Sequence, residues 1–190
     1  MRTTIFLDMD GVTANFVKGV CDVTGCSYEK VWREWPKGQY DIKGPLGIAG
    51  TDAELFAIIE QKETFWEDLE EFPWSADLYA SLSQMGRVYF CSSPTWDANS
   101  IAGKHRWLQA RFGKDFKDFV YTSHKYLLAR PDTILVDDFE DHVNDFVDDT
   151  GRARGLLFPS KMNWCPFEGD PVRYVIEHVQ RIQETWNAQG

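Results

Sequence analysis

The sequence is poor in cysteine: Cys21, Cys26, Cys91 and Cys165 are its only four among 190 residues. None forms a Cys-x-x-Cys pair, and the histidines lack zinc spacing, so neither a disulfide framework nor a zinc site is expected. Cys91 sits in an apolar run, where a thiol acts as a small hydrophobe, so the chain reads as a reduced intracellular protein. No apolar run approaches the length of a membrane helix, and the N-terminal residues show no signal-peptide pattern. The expected location is therefore the cytoplasm, with no membrane partner. Positive charge is also scarce: Lys and Arg number 20 against 30 Asp and Glu, for a formal net charge of −10. Such a chain repels the backbone of a long nucleic acid, which is excluded as a partner. A small anion remains open if a cation and a few lysines offset the field locally. Repeats and low-complexity segments are absent. The stretch 44–50 lacks the Gly-Lys-Ser/Thr ending of a P-loop, and no Gly-x-Ser-x-Gly elbow occurs.

Aromatic residues, by contrast, reach 15%, with 13 Phe and 8 Trp. That supply suits a pocket lined with rings as well as a core. Apolar strand-like runs recur at 4–7, 88–91, 119–121, 133–136 and 155–158. Helical patterns separate most of them. Ile101, Leu108 and Phe112 share one face before the stop signal Gly113, and Asp170-Pro171 opens a stripe of Val172, Val175, Ile176, Val179 and Ile182. Strand–helix alternation predicts an α/β fold with a parallel sheet covered on both faces. Residues 27–74 break the alternation. They carry Trp32, Trp35 and Gly44-Pro45, and one clear helix near 52–61. This segment reads as a small cap inserted over the carboxyl end of the sheet. Residues 1–26 and 75–190 form the core domain.

Ligands of open parallel sheets bind beyond the carboxyl ends of the strands. Three predicted strands end there in reactive groups. The first runs into Asp8-Met9-Asp10-Gly11-Val12, two carboxylates followed by a glycine that allows a sharp turn. Two like charges so close are unfavourable unless a cation or a reaction uses them. The second ends in Ser92-Ser93-Pro94 and the fourth in Asp137-Asp138, with Lys125 just before that fourth strand. These parts fit phosphoryl transfer from a monoester to water. Asp8 is the expected nucleophile, and Asp10 the acid that protonates the leaving oxygen and then activates water. Mg²⁺ is expected among Asp8, the Asp10 carbonyl and either Asp137 or Asp138. Ser92, with Ser93 beside it, and Lys125 are expected to hold the phosphate.

In that order, Asp8-x-Asp10-Gly11, Ser92, Lys125 and Asp137-Asp138 resemble the four motifs of haloacid-dehalogenase-type phosphatases. Within that superfamily the chain resembles the 5′(3′)-deoxyribonucleotidases, through residues 8–16, 65–70, 91–94 and 136–138. The resemblance implies a Rossmann-like sheet with the first strand central, a small helical cap after it, Mg²⁺ and a homodimer. It also implies that Phe16, Phe65 and Trp66 contact the nucleoside. Ser92 stands where familiar members carry Thr, and Ser123 where some carry an Arg.

Blander readings stand beside these. Phe16, Phe65 and Trp66 could be packing between cap and core, and core packing is the expectation for Trp96. Asp141 could support the metal site or cap the next helix. Lys104-His105-Arg106 reads as a solvated helix face. The expected function is Mg²⁺-dependent removal of phosphate from (deoxy)nucleoside monophosphates. The rivals are the same chemistry on another small monoester, such as a sugar phosphate, and a non-catalytic Mg²⁺-binding interaction module.

Overall fold

A computed structural model describes residues 3–189. Five strands form one all-parallel sheet: β1 (Thr4–Leu7), β2 (Arg87–Ser92), β3 (Phe119–Tyr121), β4 (Thr133–Asp137) and β5 (Arg154–Leu157), in the order β3-β2-β1-β4-β5. β1 is therefore central. Ile5, Leu7, Ile134 and Val136 face one apolar cluster, while Phe6 and Leu135 face a second with Cys91, Phe146 and Ala153. This is the period-two alternation of a sheet covered on both sides, and it explains why the strands are almost purely apolar. The register pairs Leu7 with Phe90 and with Val136, and Asp8 N–H donates to the Val136 carbonyl at 2.9 Å. The residues just beyond β1 and β4 thus leave the sheet side by side.

Helices α1 (Phe16–Thr24), α2 (Tyr28–Glu34), α3 (Lys43–Leu46), α4 (Asp52–Glu60) and α5 (Ser75–Met85) fill the interval between β1 and β2. α6 (Ala98–Phe112) follows β2, α7 (Glu140–Asp145) follows β4, and α8 (Pro171–Gln189) follows β5. No helix among the described residues is long and apolar enough to cross a membrane.

The interval between β1 and β2 narrows at a neck. Ala14 and Glu71 form an antiparallel bridge, Asn15 N–H donates to the Glu70 carbonyl at 2.8 Å, and Phe72 N–H donates to the Thr13 carbonyl at 3.0 Å. α1 to α4 lie beyond this neck. Three helices occupy the segment expected to hold one. α4 starts on a capping box, Thr51 with Glu54, which made it legible. α2 is only seven residues long and relies on the Ser27 cap and on Lys161, whose ammonium bonds the Trp32 carbonyl at 2.8 Å. α3 is a single turn ended by Gly47 in the left-handed region.

Two packing expectations fail. Ile101 is 42% exposed, because α6 instead buries Ser100, Gly103, Lys104, Trp107 and Leu108. Gly103 decides that face: a Cβ there would lie 2.6 Å from the Trp66 Cβ, so only glycine lets the two segments meet this closely. Trp96 is 65% exposed and rests edge-on against Phe56 on α4, outside the core.

Candidate active site

The site grows from the turn after β1. Gly11 adopts φ +81°, and Met9 accepts backbone bonds from Thr13 at 2.8 Å and Ala14 at 2.7 Å. A Cβ on Gly11 would meet Asp138 Oδ2 at 2.2 Å, so glycine is needed for close approach as well as for backbone conformation. Thr13 hydroxyl lies 3.3 Å and 3.2 Å from the Asp8 and Met9 carbonyls, tightening the turn. Asp8, Asp137 and Asp138 come together here, all buried, and each can offer an oxygen within 4.8 Å of the others.

Lys125 is the counter-charge to this group. It is 2% exposed on a 3-10 turn, and its ammonium donates to Asp8 Oδ1 at 2.6 Å and Asp137 Oδ2 at 2.7 Å. Burial alone would lower its pKa, but Asp8 and Asp137 outweigh that and raise it. Asp137 is fully engaged: Oδ2 also meets His142 Nδ1 at 3.1 Å, and Oδ1 accepts the Phe139 N–H at 3.0 Å. Burial works to raise Asp137, yet Lys125 and His142 hold it below the ordinary carboxylate value. Asp138 differs. Its Oδ1 has no hydrogen-bond partner among the described residues, and burial with Asp137 and Asp8 close by pushes its pKa well up. Burial likewise pushes Asp8 up to about 7, against the pull of Lys125 and with the push of Asp137 and Asp10.

Fully ionised, the three carboxylates would exceed the one ammonium by two negative charges, which is why Asp8 and Asp138 hold their protons more tightly than usual, and one buried oxygen has no donor. That balance, in an all-oxygen set, fits a hard divalent cation. The Asp10 carboxylate lies apart from this set, so its expected place among the ligands rests on its main-chain carbonyl.

A second lysine holds Asp10. Lys104, 1% exposed, donates to Asp10 Oδ2 at 2.6 Å, to Ser92 Oγ at 2.8 Å and to the Ser93 carbonyl at 2.8 Å. Its ammonium also lies 4.6 Å from the centre of the Trp66 ring. The reading of Lys104 as a solvated residue is thus wrong. The close contact of Gly103 with Trp66 turns Lys104 toward the sheet end, whereas Arg106 pairs with Glu67 and His105 meets Phe119 edge-on. Ser92 Oγ accepts from Lys104, which leaves its own proton to donate. Ser93 turns its hydroxyl to the Thr122 carbonyl at 3.4 Å, so its side chain points elsewhere. Asp141 is exposed in the first turn of α7, while His142, not singled out from the sequence, is the side chain that reaches Asp137.

The three expected ring contacts separate. Phe65 and Trp66 are each 2% exposed; Phe65 lines neither neighbouring cavity and supports Phe16 edge-on. Trp66 stacks on Phe16 with ring centres 5.6 Å apart. Phe16 is half-buried and, with Met162, borders two cavities of about 290 and 410 Å³.

Residues 2–168 match the model of a family described as 5′ nucleotidase, deoxy (Pyrimidine), cytosolic type C protein. The chain belongs to this family. Solved structures agree in fold with this nucleotidase family member. A haloacid dehalogenase-like hydrolase from Xanthomonas campestris shares 9% identity over 100% of this chain and 95% of its own, with a TM-score of 0.60. One from Streptococcus pneumoniae shares 14% over 93% and 98%, with a TM-score of 0.55. The HAD-hydrolase YfnB from Bacillus subtilis, solved bound to magnesium, shares 11% over 94% and 98%, with a TM-score of 0.53. No individually curated protein sequence matches significantly. The buried carboxylates and lysines of this nucleotidase family member thus stand at the carboxyl ends of the strands of a haloacid dehalogenase-like fold.

Proposed function

We propose that this chain is a cytoplasmic Mg²⁺-dependent phosphatase of nucleoside monophosphates, with deoxyribonucleotides as the first candidates. The observation that supports this best is the division of carboxylates between two buried lysines. Asp8 is paired with Lys125, and Asp10 with Lys104 and Ser92. One carboxylate is thereby set as nucleophile beside the cation group, and the other as acid and base beside a phosphate cradle.

A carboxylate oxygen of Asp8 attacks phosphorus, and the bond from phosphorus to the ester oxygen breaks. Protonated Asp10 gives its proton to that departing oxygen. Water then attacks the aspartyl-phosphate, its proton passes to Asp10, and the bond from phosphorus to Asp8 breaks to release phosphate. Lys104, Lys125 and the Ser92 hydroxyl hold the charge that builds on the phosphoryl oxygens. Asp8, Asp138 and the Asp10 carbonyl would hold Mg²⁺, which offsets the charges of nucleophile and phosphate. Asp137 orients Lys125, since both of its oxygens are engaged. Phe16 offers the face for a flat base, backed by Trp66. A homodimer, implied by the family resemblance, belongs to this proposal and is read by light scattering.

The test is phosphate release from 5′- and 3′-deoxynucleotides, ribonucleotides and sugar phosphates, with Mg²⁺ and with EDTA. Mg²⁺-dependent release favouring deoxynucleotides is expected. Release from sugar phosphates alone would keep the mechanism and overturn the substrate. No release from any of them would favour the binding-module reading.

A further inference from the structure

Between α2 and α3 runs a loop, residues 35–42, held to the segment between β5 and α8. Gly38 N–H donates to the Lys161 carbonyl at 2.9 Å. Lys37 ammonium donates to the Ser160 and Cys165 carbonyls at 3.1 and 2.9 Å. The Trp164 ring lies where a Gly38 side chain would be, 2.1 Å from its ideal Cβ, and Gly38 itself has φ +78°. Within the loop, Trp35 Nε1 donates to the Gln39 carbonyl at 2.8 Å. So many fixed points over so few residues make a rigid arm.

Tyr40 stands at the end of that arm. Its ring packs on Phe139 with centres 4.4 Å apart, and Phe139 directly follows Asp137-Asp138 and donates to Asp137. The same Tyr40 lines the cavity of about 410 Å³ bordered by Phe16. It therefore touches both that cavity and Phe139, the residue next to the buried carboxylates. Its hydroxyl makes no hydrogen bond to the described residues, although every other clasp of the arm is satisfied. Tyr40 is 41% exposed as a whole, yet burial is the main influence on its hydroxyl, followed by the fields of Asp138, Asp8, Asp137 and Asp10. These raise its pKa well above the usual phenol value, so it keeps its proton and remains a donor.

We propose that Tyr40 is the substrate-binding residue by which the arm enters the reaction centre: its hydroxyl donates a hydrogen bond to a phosphoryl oxygen of the bound monoester. This rests on the phosphatase reading above. It adds a contact that no strand end supplies. A neutral donor is suited to the position, because it can approach a cluster already holding two lysines without leaving an unpaired charge when the substrate departs.

The experiment is titration of inorganic phosphate into the Mg²⁺-loaded protein and into Tyr40→Phe, followed by calorimetry, beside turnover of the nucleotide panel. Phenylalanine keeps the ring on Phe139 and removes only an oxygen without a partner among the described residues. The melting temperature and the Mg²⁺ affinity should be unchanged. Phosphate should bind about tenfold more weakly to Tyr40→Phe, the worth of one hydrogen bond to a charged group. Unchanged phosphate affinity in an otherwise active enzyme overturns the role of Tyr40 and leaves the phosphatase reading standing. Weaker binding of nucleotides with unaltered phosphate binding also overturns it, since the hydroxyl would then meet the sugar or base. If the parent protein with Mg²⁺ neither binds phosphate nor releases it from any monoester, the phosphatase reading itself falls, and this proposal with it.

Discussion

The carboxyl edge of the sheet, where the strands end, and the segment beyond the neck are built by different rules. At that edge, Asp8, Ser92, Asp137 and Asp138 are placed by strand register with buried side chains, Lys125 ties Asp8 to Asp137, and Lys104 ties Ser92 to Asp10. Beyond the neck, short helices and a clasped arm present rings, the partly buried Phe16 and the exposed Tyr40. The contrast teaches where each property resides. Reaction chemistry needs positions held to a fraction of an ångström, which hydrogen-bonded strands provide. Selection among substrates needs shape and apolar surface, which an insertion can vary without disturbing the sheet.

Changes at the edge should therefore abolish turnover, and changes beyond the neck should shift preference. The largest effect is expected for Asp8→Asn, which should reduce phosphate release to background in purified, folded protein. Unchanged hydrolysis would discard the assigned mechanism. Next comes Lys104→Met. It removes a phosphate donor and leaves Asp10 without its partner, so kcat/KM should fall by about 10²–10³-fold, a typical loss for one transition-state donor. Mg²⁺ affinity should stay the same, because Lys104 does not touch the three clustered carboxylates. A large loss of Mg²⁺ binding would show that the two lysine centres are not separable.

Phe16→Ala sits on the other side of the comparison. Losing one ring contact should raise KM for nucleotides about tenfold, in line with the ~0.5–1.5 kcal/mol of an aromatic pair plus lost apolar contact. Inhibition by inorganic phosphate should not change. Equal losses for both ligands would mean that the ring supports the edge and does not select the base.

The smallest effect concerns stability against pH. Asp8 rises from its ordinary 3.8 to about 7 in the fold, and Asp138 is raised as well. Between about pH 4 and 7 the metal-free folded state thus binds more protons than the unfolded chain, so its stability falls as pH rises through that window. Asp137 is lowered and acts in the opposite sense, adding stability above its ordinary value that is lost on acidification. With EDTA the urea midpoint should drop from pH 5 to pH 7.5. With Mg²⁺ the drop should shrink, since a cation takes the place of the protons. An equal drop in both conditions would count against the carboxylate cluster as the metal site.

Much of the edge was readable in the chain because its cause is local. Apolar runs of four to six residues mark parallel strands, and a polar residue directly after such a run must lie at a strand end. Asp8, Ser92 and Asp137 follow from that rule. Lys104 does not, because the face a helix buries is set by its partner, here Trp66 against Gly103. Tyr40 escapes because it reaches Phe139 across the fold, and His142 because its contact with Asp137, five residues earlier, depends on how the chain turns into α7. Phe65 and Trp66 were equally hidden: neither ring lines the two cavities and both support Phe16, which does, because an aromatic pair in the sequence does not reveal whether its rings face open space.

By itself, the sequence determined the parallel sheet and the carboxylates at the end of its first strand, while the central place of that strand was implied by the family resemblance. Periodicity and strand boundaries depend on neighbouring residues, and those are written in order along the chain. Only the tertiary structure decided which lysine pairs with which carboxylate, which of Asp137 and Asp138 keeps an oxygen without a donor, and which rings border the cavities. Those choices depend on residues as far apart as Asp8 and Lys125, or Tyr40 and Phe139. Their distances exist only once the core has closed and excluded water, which is also what makes each buried charge demand its own partner.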